Sequence, residues 1–211
     1  MRTLEELVNR EEPAMPLVLH WIAQSAWPVE VLKPSEARGD VLTGLQVSTR
    51  SPMGAIAYET GGILIDHGWL RILGSGHPKL LRNIVDWKAN RSSGHLLVAD
   101  DVIGGFFSIN GGALGEDHGS MYYWAPDTLR WEPLGLGYSD FLAWALSDRL
   151  AVFYEGFRWP QWEVEAEQAK GDQCFNFYPF LWTAQGSVGS SSRKLISVAE
   201  QYAFNADAGA Q

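Results

Sequence analysis

Asp66, His67, Ser75 and His77 put a carboxylate, a hydroxyl and two imidazoles within one short stretch of chain. These are the groups of acyl transfer by an activated serine. That chemistry needs the serine on a strained strand-to-helix elbow, which a G-x-S-x-G spacing marks. The run Leu73-Gly74-Ser75-Gly76-His77 lacks the spacing, and no other serine has it. The group therefore reads as polar turn residues closing a hairpin, with the glycines supplying positive φ. The alternative left open is a pocket of Asp66, His67 and His77 around the turn. Trp69 would be its stacking surface, and a sugar or polar metabolite its ligand or substrate.

Other polar clusters point less clearly to chemistry. Glu116-Asp117-His118 offers two carboxylates and an imidazole, but adjacent side chains diverge in regular structure. Neither a structural-zinc spacing nor an EF-hand loop is present, so no metal and no cofactor is expected. Asp100-Asp101 ends an apolar run just before Gly104-Gly105; strand-end carboxylates bind ligands or cap turn amides. Asn110-Gly111-Gly112 signals a turn, with Asn110 expected in the left-handed region. Gly135-Leu136-Gly137 precedes a helix start, but no lysine follows as in a phosphate-binding loop. Asn90-Arg91-Ser92 is a glycosylation sequon, which matters only in a secreted chain.

Ten tryptophans in 211 residues make the chain unusually aromatic. Most are expected to pack the core; the sharper alternative is stacking on a sugar or base. Around Phe153-Tyr154-Glu155, Arg158 is expected to stack on a tryptophan or pair with Glu155. The formal net charge is −9. Residues 100–172 hold 13 acids against 4 bases, whereas residues 68–94 hold 5 bases against Asp86 alone. An acidic C-terminal half argues against nucleic acid and fits a basic protein partner. The single cysteine, Cys174, excludes an internal disulfide and favours a reducing compartment. The acidic N-terminus and the lack of a long apolar run argue against secretion and membrane spanning, so a cytoplasmic location is expected.

The elements that must position these residues follow from capping and periodicity. Thr3 reads as an N-cap, and a second helix runs from about Pro13 to Ser25. A short strand is expected at Val29–Leu32 and a short helix within 35–47. Then the chain turns β-rich. Apolar runs at Ala55–Tyr58, Ile63–Ile65 and Trp69–Leu73 are followed by strands at His95–Ala99, Gly105–Ile109 and Ser120–Trp124 and a hairpin through Arg130-Trp131-Glu132. A helical stripe of Leu80, Leu81, Ile84, Val85 and Trp87 interrupts them. The C-terminal third reads as helical from Ser139, with an acidic helix over 161–170 and a loop over 186–192. The whole predicts a single α+β domain over residues 1–204, with N-terminal helices, a central mainly antiparallel sheet and C-terminal helices. A disordered tail is expected over 205–211.

The chain resembles an uncharacterised bacterial family known as domain of unknown function 2625. The matching stretches are Gln46–Ala55, Gly61–His77, Gly104–Gly112, Tyr122–Trp131 and Tyr178-Pro179-Phe180-Leu181-Trp182. It also resembles the SUKH superfamily, in the order Gly104-Gly105, Asn110-Gly111-Gly112, Tyr122–Trp131 and Ser139–Trp144. That second resemblance implies a SUKH-like fold and a non-catalytic, immunity-type protein that neutralises a toxin partner. Under it the expected contacts are Asp100, Asp101, Glu116, Asp117, Trp124 and Trp131. The rival expectation is the small-molecule pocket or enzyme built on Asp66, His67, Trp69 and His77.

Overall fold

A computed structural model describes residues 1–88 and 93–209; the sequon at 90–92 lies outside them. The N-terminal part is α1 (Leu4–Leu7), α2 (Met15–Ala23), β1 (Val29–Leu32), α3 (Arg38–Leu45) and α4 (Pro52–Glu59). The centre is β2 (Gly62–Ile65), β3 (Leu70–Leu73), β4 (His95–Asp101), β5 (Phe106–Asn110), β6 (Met121–Ala125) and β7 (Arg130–Pro133). Then come α5 (Tyr138–Ala145), α6 (Arg149–Phe153), α7 (Trp162–Gln168), β8 (Gln173–Tyr178), β9 (Ser192–Ser197) and α8 (Val198–Gly209). The chain is α+β, with helices at both termini, as expected.

Strands β1 to β7 form one antiparallel sheet in which sequence neighbours are spatial neighbours; β8 and β9 form a separate hairpin. Residues directly opposite one another share a face. One face therefore carries the row Glu30, Leu64, Arg71, Asp100, Phe106, Trp124 and Trp131. The other carries Val31, Ile63, Ile72, Ala99, Phe107, Tyr123 and Glu132. Phe107 meets Phe141 and Trp144 of α5 and Phe153 of α6. Phe106, on the opposite face, meets Tyr202 of α8, and Arg71 donates to the carbonyl of Gln173 at the start of β8. The sheet thus lies between two layers, which is why β3 is buried along its whole length.

Several expectations need correction. Ala55–Tyr58 is not a strand: Ser51 accepts the Gly54 amide at 3.1 Å, Pro52 opens the first turn, and α4 results. The stripe from Leu80 to Trp87 does not form a helix; only Asp86–Lys88 makes a 3₁₀ turn. There the amides of Leu81 and Arg82 go to Asp172, and those of Val85 and Asp86 go to Asn83 Oδ1, so side chains take the hydrogen bonds a helix would use. The hairpin β8–β9 was not anticipated. The tail expected from residue 205 is helical through Gly209, with Asn205 buried; residues 210–211 lie outside the described part.

Candidate functional site

A groove of about 910 Å³ lies at the β1 end of the sheet. Its floor includes Val29, Glu30, Leu64 and Arg71; its walls are the Pro78–Leu81 region and the link from α7 to β8, residues 166–173. An ion pair and a hydrogen bond tie wall to sheet: Lys79 Nζ lies 2.5 Å from Glu30 Oε1, and His67 Nδ1 lies 2.5 Å from Glu167 Oε1. All four groups are substantially exposed, so each pair adds little stability.

His67 is held in an uncommon way. Asp66, His67 and Gly68 have φ of +54°, +58° and +78°, so two non-glycine residues occupy the left-handed region in succession. Both are pinned from outside. Asp66 pairs with Arg158, whose guanidinium sits 4.2 Å from the Trp162 ring and within 5.5 Å of the rings of Trp69 and Trp27. Burial raises the Asp66 pKa, with Arg158 opposing the shift. His67 packs edge-on against Trp162. Arg158 thus stacks on tryptophan as expected, but its ionic partner is Asp66, 92 residues away in sequence, and not Glu155.

His77 does not join His67 in the groove lining; its Nδ1 accepts the Lys79 amide at 3.1 Å in a local turn. Ser75 is buried, donating to Thr60 C=O at 2.7 Å and accepting the Ser35 amide at 3.0 Å. Trp69 is wholly buried and packs against Tyr154, Trp159 and Trp162, so it offers no stacking surface. Of the expected pocket, His67 alone faces the groove.

The expected partner-binding carboxylates Asp100 and Asp101 are wholly buried and present no surface. Asp100 sits between Arg71 and Arg82. Arg82 continues to Asp172 at 2.8 Å, stacks on Trp87, and donates to Gly171 C=O at 2.5 Å. Asp101 is a turn cap: Oδ1 accepts the amides of Ile103 and Gly105 at 3.1 and 2.7 Å. Oδ2 accepts the hydroxyls of Tyr123 and Tyr154 at 2.7 and 2.8 Å. Burial raises the Asp101 pKa, against the hydrogen bonds from Tyr123, Gly105 and Tyr154. The turn needs Gly104 at φ +87° and Gly105 with no side chain, because a Cβ at Gly105 would lie 2.2 Å from Tyr123 Oη.

Glu116 and Asp117 are exposed on the β5–β6 loop. Asp117 Oδ1 accepts the Tyr122 hydroxyl at 2.6 Å, which lowers its pKa. Asn110 is not left-handed; its Oδ1 accepts the amides of Gly112 and Leu114 and braces this loop from within β5. Trp124 and Trp131 are half-buried neighbours, 5.5 Å apart at 73°, at the far end of the same sheet face. Among the described residues no group of three or more His, Cys, Asp or Glu side chains is placed to hold a metal, and no helix is long and apolar enough to cross a membrane. Sequence reasoning missed Glu167 and the α7–β8 wall; Gly171, packed against Lys79 C=O, was the available signal.

A meander sheet between helices and a C-terminal hairpin defines an α+β protein. The chain belongs to the family described as "Protein of unknown function DUF2625", whose model matches residues 4–201. It is similar to the uncharacterised protein YbfG of Escherichia coli (strain K12), with 47% identity over 204 residues, covering 95% of this chain and 94% of that protein. It is also similar to an uncharacterised protein of Haemophilus influenzae (strain ATCC 51907 / DSM 11121 / KW20 / Rd), with 45% identity covering 86% of this chain and 83% of the relative. No solved structure matches.

Proposed function

We propose that the protein is a non-catalytic binding module of the cytoplasm whose ligand is an extended segment of a partner protein. The observation that carries this reading is the position of the groove beside β1, the open end of the sheet. The bond from the Asp66 amide to Pro28 C=O sets the phase of the β1–β2 ladder. Glu30 and Leu32 therefore turn their backbone groups toward β2, and Val29 and Val31 turn theirs outward. A peptide strand added to that edge would lay alternate side chains on Leu64 and Leu81, the latter 72% exposed. The net charge of −9 favours a partner of opposite sign. Further support comes from the use made of the buried ionisable groups: Asp66, Asp100 and Asp101 all hold structure together. Neutralising a toxin domain is the particular task that the SUKH-type resemblance implies.

The test is capture of partners by the tagged native protein and by three variants. Val31→Pro removes an outward amide without breaking the ladder to β2, and Leu81→Glu places a charge at the groove. A partner lost with both of these, yet retained by Glu116→Lys/Asp117→Lys, supports the groove. The reverse pattern transfers binding to the acidic loop and overturns the groove reading.

One observation favours a second reading. Glu167 orients His67 through Nδ1, and His67 Nε2 has no partner among the described residues, the arrangement of a general base. Turnover of a polar metabolite that disappears in His67→Asn would establish it.

A further inference from the structure

We propose that the partner segment carries a lysine or arginine between two apolar residues, and that Glu30 selects it. This rests on the groove reading above and names the sequence that the edge accepts. Val29 and Val31 turn their backbone groups outward, so an added antiparallel strand bonds to those two. It sets the residue between them directly opposite Glu30. Glu30 gives its own backbone groups to β2, so that residue stands in a non-hydrogen-bonded pair, the closer spacing, about 4.5 Å between Cα atoms. Opposite residues share a face, so its side chain lies beside that of Glu30 on the groove face. Its two neighbours meet Val29 and Val31 on the other face, where half-buried valines favour apolar partners.

The charge of the central residue follows from Glu30, whose side chain is 50% exposed. Lys79 Nζ, reaching from the wall, meets Oε1 at 2.5 Å, while Oε2 has no partner among the described residues. Lys79 thus marks where an ammonium sits over the groove face. Being 58% exposed, it is held weakly enough to give way to another cation. The remaining charges of the lining are engaged elsewhere: Arg71 with Asp100, Asp172 with Arg82, and Glu167 with His67. Lys170 makes no ion pair among the described residues and belongs to the wall between α7 and β8, not to the edge. An acidic residue opposite Glu30 would be a like-charge pair, which is destabilising. The stem of a lysine or arginine also suits an apolar rim such as Leu81. The same rule argues against a second copy as the occupant: pairing two β1 edges with Val29 against Val31 sets Glu30 against Glu30.

The experiment titrates two blocked peptides, acetyl-Thr-Val-Lys-Val-Thr-amide and acetyl-Thr-Val-Glu-Val-Thr-amide, into the full chain to millimolar concentration. Binding is read by the backbone amide resonances of Val29 and Val31 in ¹H–¹⁵N spectra. The lysine peptide should bind about fivefold more tightly than the glutamate peptide, the upper end of what a directly opposed charge pair contributes. In Glu30→Gln that preference should vanish while both peptides still bind. In Glu30→Lys it should reverse, and in Lys79→Met, which frees the carboxylate, it should widen. Equal affinities in the native chain, or an unchanged preference in Glu30→Gln, overturn the proposal and leave the groove reading standing. No saturable shift with either peptide overturns the groove reading and this proposal with it.

Discussion

Arg71 Nη2 lies 2.6 Å from Asp100 Oδ1, with 1% and 0% of the two side chains exposed. The contact is ionic, since its geometry does not make a hydrogen bond. Arg82 approaches Asp100 from the other side and carries the network to Asp172, next to β8. The cluster therefore fastens the sheet to the hairpin layer. Asp100→Asn leaves two guanidinium groups facing a neutral amide, and the expected loss is about 3–5 kcal/mol in urea denaturation. A loss near that of an ordinary surface change, about 0.5 kcal/mol, would show that the cluster is not a structural clamp.

Gly105→Ala should destabilise by about 1–3 kcal/mol through overpacking, because the new Cβ meets Tyr123 Oη at 2.2 Å and Asp101 Oδ2 at 2.5 Å. Tyr123→Phe removes one of those atoms. In a double-mutant cycle the two changes should cost less together than their sum. Strict additivity would show that the Tyr123 hydroxyl is not what the glycine avoids.

The chain revealed its sheet far better than its site. Strands β2 to β6 are short, largely apolar runs, most of them followed by glycine-containing turns or by the Pro126-Asp127 turn, a local signal that survives folding because each strand pairs its sequence neighbour. The Leu80–Trp87 stripe misled because its amides find Asp172, about 90 residues away, and no local periodicity encodes that. Of the two readings open for Asp100 and Asp101, capping turn amides describes Asp101, whereas the burial of Asp100 between Arg71 and Arg82 has no local signal. The groove depends on residues 166–173 returning to the β1 end of the sheet, which is a tertiary fact.

Acid should weaken the fold through Asp117 and Glu165. The Tyr122 hydroxyl lowers the pKa of the first, and Arg193 lowers that of the second. A folded-state pKa below the unfolded one means that the stabilisation is complete above the ordinary carboxylate range and fades as pH falls through the folded value. Tyr122→Phe and Arg193→Gln should therefore flatten the stability profile between about pH 5 and about pH 3. Near neutrality the profiles should run parallel to that of the native chain. A steeper acid limb in either variant would contradict the sign.

Cys174 is buried, and burial pushes its thiol pKa up to about 12. The thiolate is the reactive form, so iodoacetamide at mildly alkaline pH should leave the native thiol unmodified and label it only in denaturant. Rapid labelling under native conditions would mean that the β8–β9 layer opens readily.

His67→Gly separates structure from function at the groove. At φ +58° a glycine is free of the Cβ conflict that costs an ordinary residue about 1–2 kcal/mol. The variant forfeits the exposed contact with Glu167 and the edge contact with Trp162, and contacts of that kind are weak. The melting temperature should therefore rise or hold. If the groove is the binding surface, partner capture should fall in the same variant, because the imidazole that ties the hairpin turn to α7 is gone. Strain kept at a position whose removal stabilises the fold but weakens binding is the mark of a residue retained for function. A variant that is both less stable and unaltered in binding would reduce His67 to a packing residue and remove it from the groove's working surface.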